Sequence, residues 1–163
     1  MRHDGAFWRK SEQLGFLKME AITYRFLDWA KQRIVEQSEG FLSEDSVFDE
    51  REQDLGNSIK LSVMKGLGVA VVLSLPDLNM VGNEPGETLY SVSADVWVFH
   101  NKGLSPDFDS VKLTEHLFRQ FAGVKFDLPN GYLRANVKAD NLRHEVNGTK
   151  QTHYFTLSYN ELL

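Results

Sequence analysis

Cysteine is absent from the 163-residue chain. Its absence excludes disulfide cross-links, thiolate metal sites and a cysteine nucleophile, and removes any need for an oxidising compartment. No apolar run approaches the ~20 residues that a membrane helix requires. The opening residues, MRHDGAFWRKSEQLGF, carry basic side chains but neither an apolar h-region nor a small-residue cleavage site, so no signal peptide is read there. Positive charge is also in short supply. Eighteen Lys and Arg against 23 Asp and Glu leave a net charge of −5. That balance is contrary to a general nucleic-acid binder, whose affinity rests on a basic surface that releases counterions. What remains is ordinary for a soluble globular domain: 42% hydrophobic and 25% charged residues. A chain of this length buries enough surface, roughly 68–70%, to fold as one domain without staples.

The stretch KGLGVAVVLSLPD, residues 65–77, poses the first question of chemistry. Its Gly-x-Gly could open a phosphate-binding loop or bound a buried strand. A dinucleotide fingerprint runs strand, glycines, helix, so that the helix N-terminus meets the phosphates. Here residues 57–65 read as a short helix with Asn57 or Ser58 near its start. Gly66 fits the left-handed position past its end, and residues 69–75 form a β-branched run closed by Pro76. The glycines thus sit at a helix C-terminus, whose dipole repels anions. The reading is a strand covered on both faces.

Elsewhere residues 20–36 carry a helical period with Thr23, Leu27, Ala30 and Ile34 on one face. The acid-rich stretch SEDSVFDEREQD, residues 43–54, lacks the central glycine of a calcium loop and reads as a solvated surface. Residues 77–87, DLNMVGNEPGE, are turn-rich and read as a projecting loop. Residues 88–100 alternate, with Tyr90, Val92, Ala94, Val96 and Val98 toward a core. Asp109 or Ser110 caps a helix to about Ala122, with Val111, Thr114, Leu117, Phe118 and Phe121 inward and Gly123 as its stop. Residues 133–142 and 153–159 alternate on either side of an Asn147-Gly148 turn and read as a ribbon. The Asn147-Gly148-Thr149 sequon is taken as that turn. The expected fold is α+β in two layers: a four-stranded, mostly antiparallel sheet with helices against one face. An N-terminal arm, 1–18, precedes a single domain, 19–163. Phe7, Trp8 and Phe16 give the arm too much apolar surface for a free tail.

Side-chain chemistry is thin. The five histidines form no H-x-x-x-H or H-x-x-E-H pair, and His116 beside Glu115 and His144 beside Glu145 point apart. No G-x-S-x-G is present. The aromatic set Trp97, Phe99, Tyr154, Phe155 and Tyr159 lacks the interleaved Arg and Lys of a base-stacking platform, and reads as core or protein interface. No catalytic, cofactor or metal residue is assigned.

IKLSVMKGLGVAVVLSLPD, YSVSADVWVFHN, SVKLTEHLFRQF and YFTLSYNELL follow one another in an order that resembles the tail terminator (tail completion, neck) proteins of tailed bacteriophages and related prophage tail devices. The likeness spans residues 23–159. It implies no enzyme and no cofactor. It implies a virion protein, assembled in the host cytoplasm, that forms a ring with copies of itself, usually a hexamer. Such a ring sits on the last ring of the tail tube, stops tube polymerisation and docks to the head connector. Partners are then the chain itself, tail tube protein, the head connector or neck protein and sheath, with no membrane and with DNA only as passing cargo. Candidate interface residues are Phe7, Trp8 and Phe16 on the arm, Asp77, Asn79, Met80, Asn83 and Glu84 on the 77–87 loop, and Glu44, Asp45 and Asp49 on the acidic stretch. Alternatives are an adaptor of a bacterial contractile injection apparatus, or a small ligand-binding or enzymatic α+β domain.

Overall fold

The computed structural model describes residues 22–84, 87–127 and 134–162; the expected arm, with Phe7, Trp8 and Phe16, lies outside them. The chain is α+β and its main sheet is mixed, with six strands rather than four. In chain order, α1 (Ile22–Gln37) leads through a single 3-10 turn (Glu44–Ser46) to β1 (Val47–Asp49). Then come α2 (Leu55–Met64), β2 (Val69–Leu73), β3 (Asp77–Glu84), β4 (Glu87–Asn101) and α3 (Ser110–Phe121). A small pair, β5 (Lys125–Asp127) and β6 (Arg134–Asn136), precedes β7 (Lys138–Asn147) and β8 (Lys150–Leu162). The main sheet runs β1-β2-β4-β8-β7, with β3 also paired to β4. β1 and β2 are parallel and the other pairs antiparallel.

The two extra strands come from segments that composition marked as surface. The acidic stretch holds β1, whose Val47, Phe48 and Asp49 are all buried. Its Val-Phe core outweighs the flanking charges because both side chains have apolar partners, Val47 on one face of the sheet and Phe48 on the other. The turn-rich segment 77–84 is β3, which folds back on β4 from Asp77 opposite Ser93 to Glu84 opposite Glu87. Gly82 and Asn83 are tolerated there because β3 is an edge strand, and a register shift between Met80 and Gly82 absorbs the extra residue. β2 and β3 lie end to end along the same side of β4. Pro76, which has no N–H for a ladder, falls at the break between them. The ladder is carried across by Ser74, whose N–H donates to Asp95 O at 2.9 Å and whose Oγ accepts from Asp95 N at 2.8 Å.

Helices cover both faces of the sheet, not one. On the first face α1 and α3 bury Phe26, Leu27, Ile34, Leu117 and Phe121 against Val71, Val96, Phe155 and Leu157. On the opposite face α2 lays Leu55, Ile59 and Val63 over Phe48, Ala70 and Val72. β2 is therefore buried at all five positions, as its β-branched run predicts. In α3 the inward set is Leu113, Thr114, Leu117 and Phe121; Leu113 takes the inner place expected of Val111, which is half-buried. Asp109 is the N-cap, accepting from Lys112 N at 3.1 Å, and Gly123 closes the end at φ +76°. α2 begins at Leu55, with Asp54 at the N-cap position, ahead of Asn57 and Ser58. The left-handed glycine after it is Gly68, not Gly66. A Cβ at Gly68 would meet Ser105 Oγ at 2.7 Å, so both backbone angle and space demand glycine there.

β1 is locked in place by charge. The Asp49 carboxylate, 1% exposed, receives Lys31 Nζ at 3.1 Å, Arg51 Nε and Nη2 at 2.9 Å and the Arg51 backbone N–H at 2.9 Å. Burial alone would raise its pKa, but the Arg51 hydrogen bonds and the Lys31 ammonium hold it down to about 2. The Asp49 hydrogen bonds in turn lead in pushing the Arg51 guanidinium up. Replacing Asp49 by Asn leaves two cations facing a neutral amide. The expected loss is about 3 kcal/mol in urea unfolding. A change within a few tenths would show that the pairs carry no stability.

Candidate functional site

The residues singled out as interface candidates separate into three groups. Asp77, Asn79 and Met80 stand exposed on β3, and Asn83 and Glu84 extend the same strand. Glu44 and Asp45 are exposed on the 3-10 turn. Asp49 is beneath the surface, its carboxylate spent on Lys31 and Arg51, so it takes no place on an outer face.

β3 is unusual as an edge. Its eight residues pair with β4 on one side and with nothing among the described residues on the other. Leu78, Met80 and Val81 are all exposed, Met80 at 61%. The strand has no Lys or Arg. The opposite edge, β7, shows the devices by which sheets avoid sticking together. It carries Lys138, Asp140, Arg143 and Glu145 at exposed positions. A register shift between Asp140 and Arg143, with Asn141 at φ +58°, bends it. Among the described residues β7 is guarded by charge of both signs, while β3 has acids only at its ends and leaves its apolar middle open.

The sheet also carries a line of hydrogen bonds that no local spacing announced. His100 Nε2 lies 3.1 Å from Ser105 O, and His100 Nδ1 lies 2.9 Å from Ser110 Oγ. Ser110 Oγ is 2.7 Å from His153 Nε2 and donates to Gln151 Oε1 at 2.8 Å. His153 Nδ1 is 2.9 Å from His144 Nδ1, and His144 Nε2 is 3.6 Å from Glu115 Oε1. His100 Nε2 also lies 3.0 Å from the Ser105 hydroxyl. Ser110 spends its one proton on Gln151 Oε1, so toward His153 it accepts, from Nε2–H. The Nδ1 of a neutral His153 then accepts from His144 Nδ1–H.

Glutamate, two histidines and serine in sequence have the connectivity of a nucleophile relay, but Ser110 is 1% and His153 0% exposed. No substrate carbonyl can approach a hydroxyl sealed between β4, β8 and α3, so the line works as a polar crosspiece that pins α3 to the sheet. From sequence, His144 beside Glu145 and His116 beside Glu115 are expected to point apart. The fold brings Glu115 to His144, while His116 Nε2 contacts Gln37 O at 3.0 Å. Among the described residues, no group of three or more His, Asp or Glu is arranged to hold a metal.

Beyond the crosspiece the open sheet face has a shallow furrow of about 570 Å³ lined by Asp95, Trp97, Arg143, Glu145 and Tyr154. The Tyr154 hydroxyl donates to Asp95 Oδ1 at 2.9 Å, and the Trp97 ring lies 4.6 Å from that of Tyr154. The expected aromatic set divides between the two faces. Trp97, Phe99 and Tyr154 lie on the open one, and Phe155 and Tyr159 are in the core. No protein-family model matches the chain, and no curated protein is significantly similar to it.

Burial, followed by the neighbouring His144 and His100, pushes the His153 imidazole down from 6.5 to about 4. The unfolded chain therefore binds the proton at higher pH than the folded one. Between these two values stability falls as pH falls, by about 3 kcal/mol across the window. NMR titration of the histidine ring carbons should find His153 neutral at about pH 5, with unfolding midpoints in urea dropping over the same range. An ordinary titration of His153 near 6.5 would contradict the crosspiece.

Proposed function

We propose that this chain is a structural subunit that joins copies of itself into a ring at the end of a phage tail tube. The ring ends tube polymerisation and offers the surface on which the head connector docks. The observation that carries the reading is the bare β3 edge. A strand edge with exposed apolar side chains is a hazard in a solitary protein, and natural proteins blunt such edges unless another chain covers them. Here β7 carries charges of both signs along its length, whereas β3, with acids only at its ends, exposes Leu78, Met80 and Val81 with no strand paired outside it among the described residues.

Among self-associating subunits, the order of helix, buried strand, proline, long strand, helix and paired strands supports the tail terminator. The net charge of −5 supports a lumen through which DNA passes without adhering. An adaptor of a contractile injection apparatus would share this architecture, and its tube protein separates the two. A ligand-binding role has one observation in its favour, the furrow beside Trp97.

Negative-stain imaging of the purified protein, alone and mixed with tail tubes, tests the reading. Rings that cap one end of each tube are expected. Monodisperse monomers that bind no tube end contradict it.

A further inference from the structure

Two clusters of exposed apolar side chains lie at opposite ends of β4. The first is Leu78, Met80 and Val81 on β3, where Met80 pairs with Tyr90. The second is Leu61, Met64 and Leu67 on and just after α2, where Asn101 Nδ2 lies 3.9 Å from Met64 Sδ. Tyr90 and Asn101 are roughly 35 Å apart along a strand that rises ~3.3 Å per residue.

The charges around the clusters are opposite. Residues 77–87 contain Asp77, Glu84 and Glu87 and no basic residue. Residues 55–68 contain Lys60 and Lys65 and no acidic residue, and Lys102 follows Asn101 at the same corner. Asp77, Lys60, Lys65 and Lys102 are exposed and make no ion pair among the described residues. Asp45 lines a furrow together with Leu61 and Leu67 of the second cluster.

We propose that copies of this chain associate head to tail, with the β3 cluster of one copy seated on the α2 cluster of the next. The proposal rests on the self-associating subunit of the preceding subsection and names its two surfaces. Pairing β3 with β3 about a two-fold axis would set acid against acid and leave Leu61, Met64 and Leu67 in water. Pairing α2 with α2 would set lysine against lysine and leave β3 bare. Head-to-tail contact covers both clusters in a single interface and places the lysines beside the acids. Such a contact is heterologous: it closes into a ring when the rotation per copy divides a full turn and otherwise extends as a filament.

The experiment uses the full chain and light scattering after size exclusion, with circular dichroism to verify folding. Met80→Glu and Met64→Glu, both at solvent-exposed positions, are each expected to be folded and monomeric. Mixed in equal amounts they are expected to form a heterodimer that grows no further, because one intact β3 meets one intact α2. Asp77→Lys and Lys65→Glu leave the apolar surface untouched. Each is expected to weaken assembly at low salt, with the difference from the wild type shrinking at about 1 M salt as screening shortens. A Met64→Glu variant that still dimerises, or a mixture that stays monomeric, overturns the head-to-tail contact while leaving self-association standing. A wild-type chain that is monomeric at every concentration overturns self-association as well.

Discussion

The rest of the structure depends on the pairing of β4 with β8. The two strands run antiparallel without a register shift from Leu89 opposite Leu162 to Asn101 opposite Lys150. Because side chains alternate strictly along a strand, this one register assigns every residue of both strands to a face. Val92, Ala94, Val96 and Val98 join Phe155, Leu157 and Tyr159 beneath α1 and α3. Ser93, Asp95 and Trp97 fall with Tyr154 and Thr156 on the other side, where Thr156 and Tyr154 hydroxyls donate to the same Asp95 oxygen. A slip of one residue would send the valines into water and the polar set into the core. The same pairing brings His153 and Gln151 to Ser110, so the buried crosspiece is a consequence of register rather than of any local motif.

The edges follow from that frame. β4 is longer than β2, so its far half needs a second partner on the same side, and β3 supplies it after the Pro76 break. This leaves β3 outermost, beyond the reach of α2, with its apolar side chains uncovered. β1 meets the other half of that edge and is made safe by being short, buried and held by Lys31 and Arg51. β7 is made safe by charge and by a bulge. The contrast between one unguarded edge and two guarded ones is a statement about energy. Apolar surface removed from water is worth ~25 cal/mol per Å², and β3 retains that gain for whatever covers it.

Much of this was legible in the residues. The 3.6 period of α1, the Asp109 cap and Gly123 stop of α3, the all-buried β2 and the alternation of β4 and β8 each follow from local pattern, and each is found within three residues of its expected place. The α2 start, Leu55 in place of Asn57, shows the same margin. What the pattern hid was decided at long range. Asp77-Leu-Asn-Met-Val-Gly-Asn reads as turn by composition and becomes strand because β4 offers it a ladder. Val47-Phe48-Asp49 reads as part of an acidic surface and becomes a buried edge because Lys31 from α1 joins the neighbouring Arg51 in neutralising Asp49. The Ser110 and histidine line joins residues up to 43 positions apart, beyond any spacing rule. The apolar side chains of β3 were visible as letters; that they share an open edge was not.

Hydrogen exchange at β3 tests the central claim most directly. In dilute solution the outward-facing amides of residues 78–82, which have no strand partner among the described residues, should exchange as fast as an open loop, while β4 and β8 are strongly protected. At concentrations where assemblies form, the β3 amides should slow and those of β7 should not. Equal exchange of β3 in the dilute and assembled states, or protection that appears at β7 instead, would contradict the account.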